Sequence, residues 1–261
     1  MDDPLTLSLG TTLLPLLALA FLAGFIDSVA GGGGLVQVPA LFILFPHAPA
    51  ASLLGTNKFA SIWGTGFATW QYARQVPMEW RATLPTAAAA LLAGFAGAAA
   101  VAHLPRELLR PLVLVLLLAV LAYTLWRKDF GAMHAPRLSP RTQALAGLAI
   151  GAAIGFYDGF FGPGTGSFLI FAFVGVFGFS FLSASASAKA VNVVTNLAAL
   201  GYFATHGHVR YALAVPMAAC NVAGAFVGTR LALKLGSGFV RALFLVVVSV
   251  LICRYAMELR R

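Results

Sequence analysis

The chain has 261 residues, of which 60% are hydrophobic and only 10% charged, with a mean hydropathy of +0.90. Soluble domains carry roughly 25% charged residues, so the composition excludes an ordinary soluble fold and predicts an all-α polytopic membrane protein with its function in the membrane. The net charge of +9 does not call for a nucleic-acid partner, because the basic residues stand at helix ends (Arg74, Arg81, Arg127, Lys128, Arg137, Arg141, Arg260, Arg261), where loop topology signals belong.

The N-terminal Met1-Asp2-Asp3-Pro4 lacks the basic start of a signal peptide, so the first apolar run is expected to be retained. A helix is predicted from about Thr12 to Ala30, then a break at Gly31-Gly32-Gly33-Gly34, then a short apolar segment that carries Gln37 and ends at Phe45. After the turn Pro46-His47-Ala48-Pro49, a long helix is expected from about Ala50 to Tyr72, followed by spans near residues 82–102 and 108–126. Runs of about 20 apolar residues suffice to cross a bilayer. Residues 129–141 form the clear polar, proline-bearing boundary. Beyond it come a second break at 162–166 and closing spans near 211–233 and 237–257.

The two halves repeat. Asp27 and Asp158 stand 131 positions apart, and the same offset pairs Gly24 with Gly155, Gly31 with Gly162, Gly33 with Gly164, Lys58 with Lys189, Trp80 with Tyr211, Pro85 with Pro216, Gly97 with Gly228 and Arg110 with Arg241. The expected organisation is a first repeat at 1–128, a linker at 129–141 and a second repeat at 142–261, each of about four spanning helices with a glycine-broken or re-entrant segment. Interrupted helices at matching positions of two repeats point to a transporter's binding site. The copies are expected to be inverted, which puts the linker on the opposite side of the membrane from the termini.

In hydrocarbon every backbone N–H and C=O needs a partner, so four consecutive glycines are tolerated at membrane depth only where protein buries them or they line a cavity. Each break leaves the N-terminus of a short helix pointing inward, with free N–H groups and partial positive charge that stabilise an anion. Gly31, Gly32, Gly33, Gly34, Gly162, Pro163, Gly164, Thr165, Gly166 and Ser167 are therefore candidate anion ligands, with Gln37 beside the first break. Gly24, Gly94 and Gly97 read instead as helix-packing positions.

Lys58 lies about 12 Å into its helix at 1.5 Å per residue, and Lys189 matches it. Ionisable residues at that depth face a cavity or a partner. Lys58, Ser61 and Thr65 share one helical face, as do Ser185, Lys189, Asn192 and Asn196, and both stripes are expected to face one central space. The lysines could equally pair with Asp27 and Asp158, and these aspartates could gate the site or carry a coupling proton. Cys220 and Cys253 read as small core residues, and His206 with His208 lacks a third metal ligand. No cofactor and no metal is expected.

Gly24-Phe25-Ile26-Asp27, Ala30-Gly31-Gly32-Gly33-Gly34-Leu35, Pro39-Ala40-Leu41 and Gly55-Thr56-Asn57-Lys58, with their weaker second copy, resemble the TauE/SafE family of sulfite and organosulfonate exporters. The resemblance implies a multi-pass permease for small sulfur-containing anions in the cytoplasmic (inner) membrane, with Asn57 added to the site. In the second copy Ala188 replaces Asn57, and Asn192 and Asn196 replace Ser61 and Thr65, so one asymmetric site between the copies is expected. Proton coupling and a homodimer are left open, and a passive anion channel is the alternative function. An intramembrane aspartyl protease is set aside because Pro39-Ala40-Leu41 precedes Tyr157-Asp158, the reverse of the order such enzymes need.

Overall fold

A computed structural model describes residues 12–45, 48–100, 134–136 and 138–258. The span expected at 108–126, most of the linker, the Pro46-His47 corner, Arg110 and both termini lie outside the described residues, as does the Cys253 side chain. Within them there are eight helices and no strand: α1 (Leu14–Ala30), α2 (Gly34–Leu44), α3 (Ala50–Gln75), α4 (Trp80–Ala100), α5 (Pro140–Phe160), α6 (Thr165–Gly175), α7 (Phe181–Thr205) and α8 (Tyr211–Glu258). The two spans expected near 211–233 and 237–257 follow each other in α8, which is two helices parted by a kink at Gly236, whose φ 73° and ψ −166° are not helical. Among the described residues, α4 and the α8 stretch Tyr211–Val246 are long and apolar enough to cross a membrane.

The long helices start where local chemistry starts them. Ser139 and Ser180 cap α5 and α7, their hydroxyls accepting from the N–H groups of Thr142 and Ser183. α2 and α6, each 11 residues, are far too short to span. α2 turns back along α1: the Asn221 amide of α8 donates to Ala20 O of α1 at 3.3 Å and to Gln37 Oε1 of α2 at 2.9 Å. In one straight helix those 17 residues would cover about 25 Å.

The apolar clusters give the ends. Leu16 and Ala20 of α1 share a cluster with Leu41 near the end of α2, Phe45 just beyond it, Leu53 near the start of α3, and Leu213 and Met217 near the start of α8. Tyr72 and Val76 at the end of α3 and Ala82 at the start of α4 share another with Phe173 of α6 and Phe181 of α7. So α1–α2 is a helical hairpin based at one end of the bundle and α5–α6 a hairpin based at the other. Their tips meet in the middle, where a Cβ on Gly166 would stand 2.6 Å from Gly31 Cα and one on Gly34 would stand 3.4 Å from Pro163 Cα. His134, from the linker, faces Glu79 at 3.2 Å and thus marks the α5–α6 end.

Two seams of small residues hold the hairpins. α1 lies along α8, with Gly24 against the Asn221 carbonyl and Gly224 against the Phe21 carbonyl; α5 lies along α4, with Gly151 against Thr86 and Gly155 against Ala90. Close backbone approach replaces the hydrophobic effect that lipid removes. Gly155→Ala would put a Cβ 2.5 Å from Ala90 Cα, and should destabilise by about 1–3 kcal/mol, the cost of overpacking. Gly201→Ala on α7, where nothing lies within 4 Å, should be neutral or slightly stabilising. Melting temperatures of the two purified variants check the contrast.

Candidate functional site

α3 carries Lys58 into the interior, where it is 3% exposed. A charge at membrane depth costs on the order of 2.5–3.5 kcal/mol on insertion scales unless paired. Asp158, in the last turn of α5 and 2% exposed, pairs with it: Lys58 Nζ donates to Asp158 Oδ2 at 2.6 Å. The pair joins the two halves of the chain. It lies against the second glycine break, because a Cβ on Gly162, at φ 90°, would stand 3.1 Å from Lys58 Nζ. Glycine there serves both the left-handed backbone and the ammonium's approach.

Asp27, at the equivalent place of the first hairpin, is used differently. Its Oδ1 accepts from the N–H groups of Gly32 (3.3 Å) and Gly33 (3.4 Å), and its Oδ2 from the Thr65 hydroxyl (3.1 Å). The carboxylate thus sits on the N-terminus of α2, satisfying donors that have no intrahelical partner. At α6 the N-cap is Gly164, with φ 89° and no side-chain cap; Thr165 Oγ1 donates instead to Gly162 O at 2.7 Å. Both inward helix ends line one cavity, and the first of them carries its own anion.

That cavity has a volume of about 20 Å³ and is lined by Asp27, Gly32, Gly34, Asn57, Lys58, Ser61, Thr65, Asp158, Gly162, Gly164, Thr165, Gly166, Asn192 and Asn196. This is room for about one water, so a sulfur oxyanion enters only if the walls part. The lining residues are glycines or carry polar side chains, and the Asn57 side-chain oxygen is buried and without a partner among the described residues.

The remaining sequence candidates lie elsewhere. Gly31 is pressed on the Gly166 backbone, and a Cβ on Gly33 would stand 2.7 Å from Asp27 Cβ. Ser167 Oγ donates to the carbonyls of Ala30 and Gly31, and Pro163 O accepts from the Tyr157 hydroxyl at 2.6 Å. Gln37 is held by Asn221. The α7 stripe splits, rising about 16 Å from Ser185 to Asn196. Asn192 and Asn196 reach the cavity, whereas Ser185 Oγ donates to Val29 O at 3.2 Å. Lys189 is fully buried outside the cavity lining, and its ammonium has no hydrogen-bond partner among the described residues. Of the two lysine–aspartate pairs allowed by the sequence, one forms.

Two polar residues that organise the site escaped the sequence reading. Asn221 ties α8 to α1 and α2, and its side chain also fills the space over Gly64 of α3; an amide inside the apolar run 211–233 was the signal available. Tyr72, whose hydroxyl donates to Ser28 O at 3.0 Å, gave none, being one more aromatic in an apolar helix.

The sequence profile of the family described as "Sulfite exporter TauE/SafE" matches residues 16–255. The chain belongs to the TauE/SafE family. A "Probable membrane transporter protein ORF9" of Sinorhizobium sp. is 37% identical over 231 residues, 88% of this chain and 87% of that protein. "Probable membrane transporter protein YfcA" of Escherichia coli K12 is 34% identical over 233 residues, 89% of this chain and 85% of that one. A "Probable membrane transporter protein" of Haemophilus influenzae is 32% identical over 241 residues, 92% and 93% of the two chains. No solved structure matches significantly. As a TauE/SafE protein with relatives so named along nearly its whole length, the chain is a membrane transporter.

Asp158→Asn leaves the Lys58 ammonium buried opposite a neutral group and should destabilise the protein by about 3–5 kcal/mol, as breaking a buried ion pair does. Lys58→Met combined with Asp158→Leu should recover most of that loss, and a double-mutant cycle of denaturation midpoints in detergent reads the coupling.

Proposed function

We propose that this TauE/SafE transporter exports small sulfur-containing anions, such as sulfite or an organosulfonate, across the cytoplasmic membrane. The observation that carries the reading is the Lys58–Asp158 pair beside the N-terminus of α6, which has no side-chain cap, in a polar cavity where the hairpin tips meet. In this reading the anion replaces the Asp158 carboxylate on Lys58 and takes the N–H groups of Gly164 and Gly166. Ser61, Asn57, Asn192 and Asn196 supply the outer hydrogen bonds. The closed cavity is then the state between loadings. Lys189, the repeat mate of Lys58, comes into play when the other hairpin moves, and Asp27 is its counter-charge. Protonation of Asp158 would also free Lys58, which gives a proton gradient a means of coupling.

The hairpins support a two-copy inverted arrangement, since α2 and α6 start at the same 131-residue offset and their hairpins are based at opposite ends. Arg74, Arg81, Arg141 and Arg230 lie toward the α5–α6 end and Arg210 toward the other, a bias that by the positive-inside rule supports a cytoplasmic α5–α6 end.

In proteoliposomes, wild-type protein should carry sulfite down an imposed gradient and respond to a pH difference. Lys58→Ala should lower the flux by about tenfold or more, the value of a hydrogen bond to a charged group, and Lys58→Arg should not restore it, because a planar fork does not reproduce a compact ammonium. Unchanged flux in Lys58→Ala refutes the site, and flux indifferent to pH in the wild type makes the protein a passive anion channel.

Topology has its own check. Thr6→Cys and Ser139→Cys, introduced singly in a background without Cys220 and Cys253, should label oppositely with an impermeant thiol reagent in intact cells. Labelling of both from one side contradicts inversion.

A further inference from the structure

A second cavity, of about 410 Å³, opens between the last turns of α3 and the middle of α8 and is lined by Trp70, Gln71, Arg74, Gln75 and Arg230. Its walls bring two guanidinium groups together with no carboxylate, and among the described residues neither arginine is in an ion pair. Each lies on an aromatic ring instead. Arg74 Cζ is 4.9 Å from the Trp70 centroid, and Arg230 Cζ is 4.0 Å from that of Phe226. Phe67 joins the two platforms, 5.7 Å from Trp70 and 6.0 Å from Phe226. These tilted ring contacts hold the two guanidinium groups beside the cavity, and a guanidinium receives oxyanion oxygens in pairs.

Two further features narrow the ligand. The Gln71 side-chain oxygen is buried with no donor among the described residues, so the ligand should bring an N–H or O–H as well as an anion. The volume lies in the range of small-molecule pockets, about 300–1,000 Å³, and far exceeds the need of a bare tetrahedral ion. Trp70, at the lip, is 53% exposed, as befits an indole at the membrane interface. We propose that this cavity binds the headgroup of an anionic phospholipid of the phosphoglycerol class. The phosphate lies between Arg74 and Arg230, and a headgroup hydroxyl donates to Gln71 Oε1. A free oxyanion shares the arginine chemistry but fills only a small part of the 410 Å³.

The test is native mass spectrometry of the full-length protein in detergent, titrated with phosphatidylglycerol or phosphatidylcholine. The wild type should retain one phosphatidylglycerol in preference to phosphatidylcholine by about tenfold or more, in line with charge-assisted paired hydrogen bonds. The preference should vanish in Arg74→Gln/Arg230→Gln and weaken in Gln71→Leu. Glycerol phosphate should displace the lipid, whereas inorganic phosphate and sulfite at the same concentration should not. Equal retention of both lipids overturns the proposal, as does unchanged phosphatidylglycerol retention in a double variant that melts like the wild type. Displacement by phosphate or sulfite as readily as by glycerol phosphate assigns the cavity to free oxyanions and overturns the lipid assignment. Should the double variant fail to fold, Arg230→Lys takes its place. It keeps the charge and loses the fork, so unchanged retention there counts against the proposal.

Discussion

A buried ammonium and a buried carboxylate, 2.6 Å apart across the two halves of the chain, are the interaction on which the interior depends. Either charge alone would cost about 2.5–3.5 kcal/mol at that depth, which favours bringing α3 and the end of α5 together. The glycine seams of α1 on α8 and α5 on α4 make this geometrically possible, because they bring each hairpin close enough for its tip to reach the centre. Packing supports the electrostatics, and the electrostatics fix the register of the tips.

The two hairpins are similar in plan and different in charge state. Asp27 is turned onto its own hairpin and caps α2, whereas Asp158 is turned away from α6 onto Lys58. The same side chain at matching positions therefore does two jobs, while both helix ends line one cavity. A buried ion pair is weak support for stability, since desolvation offsets most of its attraction. Its retention at the meeting point of two broken helices is better explained by a partner that has to be exchanged. Lys189 is buried without a hydrogen-bond partner among the described residues.

Much of this was legible in the sequence because it rests on local chemistry. Four glycines in an apolar run cannot continue a helix comfortably, so the breaks declared themselves, and the 131-residue offset located the second from the first. That Lys58 and Asp27 or Asp158 would be deep was equally readable from hydropathy. What could not be read was which lysine meets which aspartate, since the choice is set by side-chain reach across helices that are distant in sequence. The separation of Ser185 and Lys189 from Asn192 and Asn196 was hidden for a related reason: a helical face predicts direction but not where along its length a neighbouring tip ends. Asn221 shows a third limit, an isolated amide whose partners on α1 and α2 exist only once the hairpin has closed.

The central claim is that the transported anion and the Asp158 carboxylate compete for Lys58. Calorimetric titration of sulfite into the purified Asp158→Asn variant, beside the wild type, tests it most directly. Removing the internal competitor should tighten sulfite binding by about tenfold, the equivalent of about 1.4 kcal/mol. Binding that is unchanged or weaker in Asp158→Asn, in a protein that remains folded, would contradict the account.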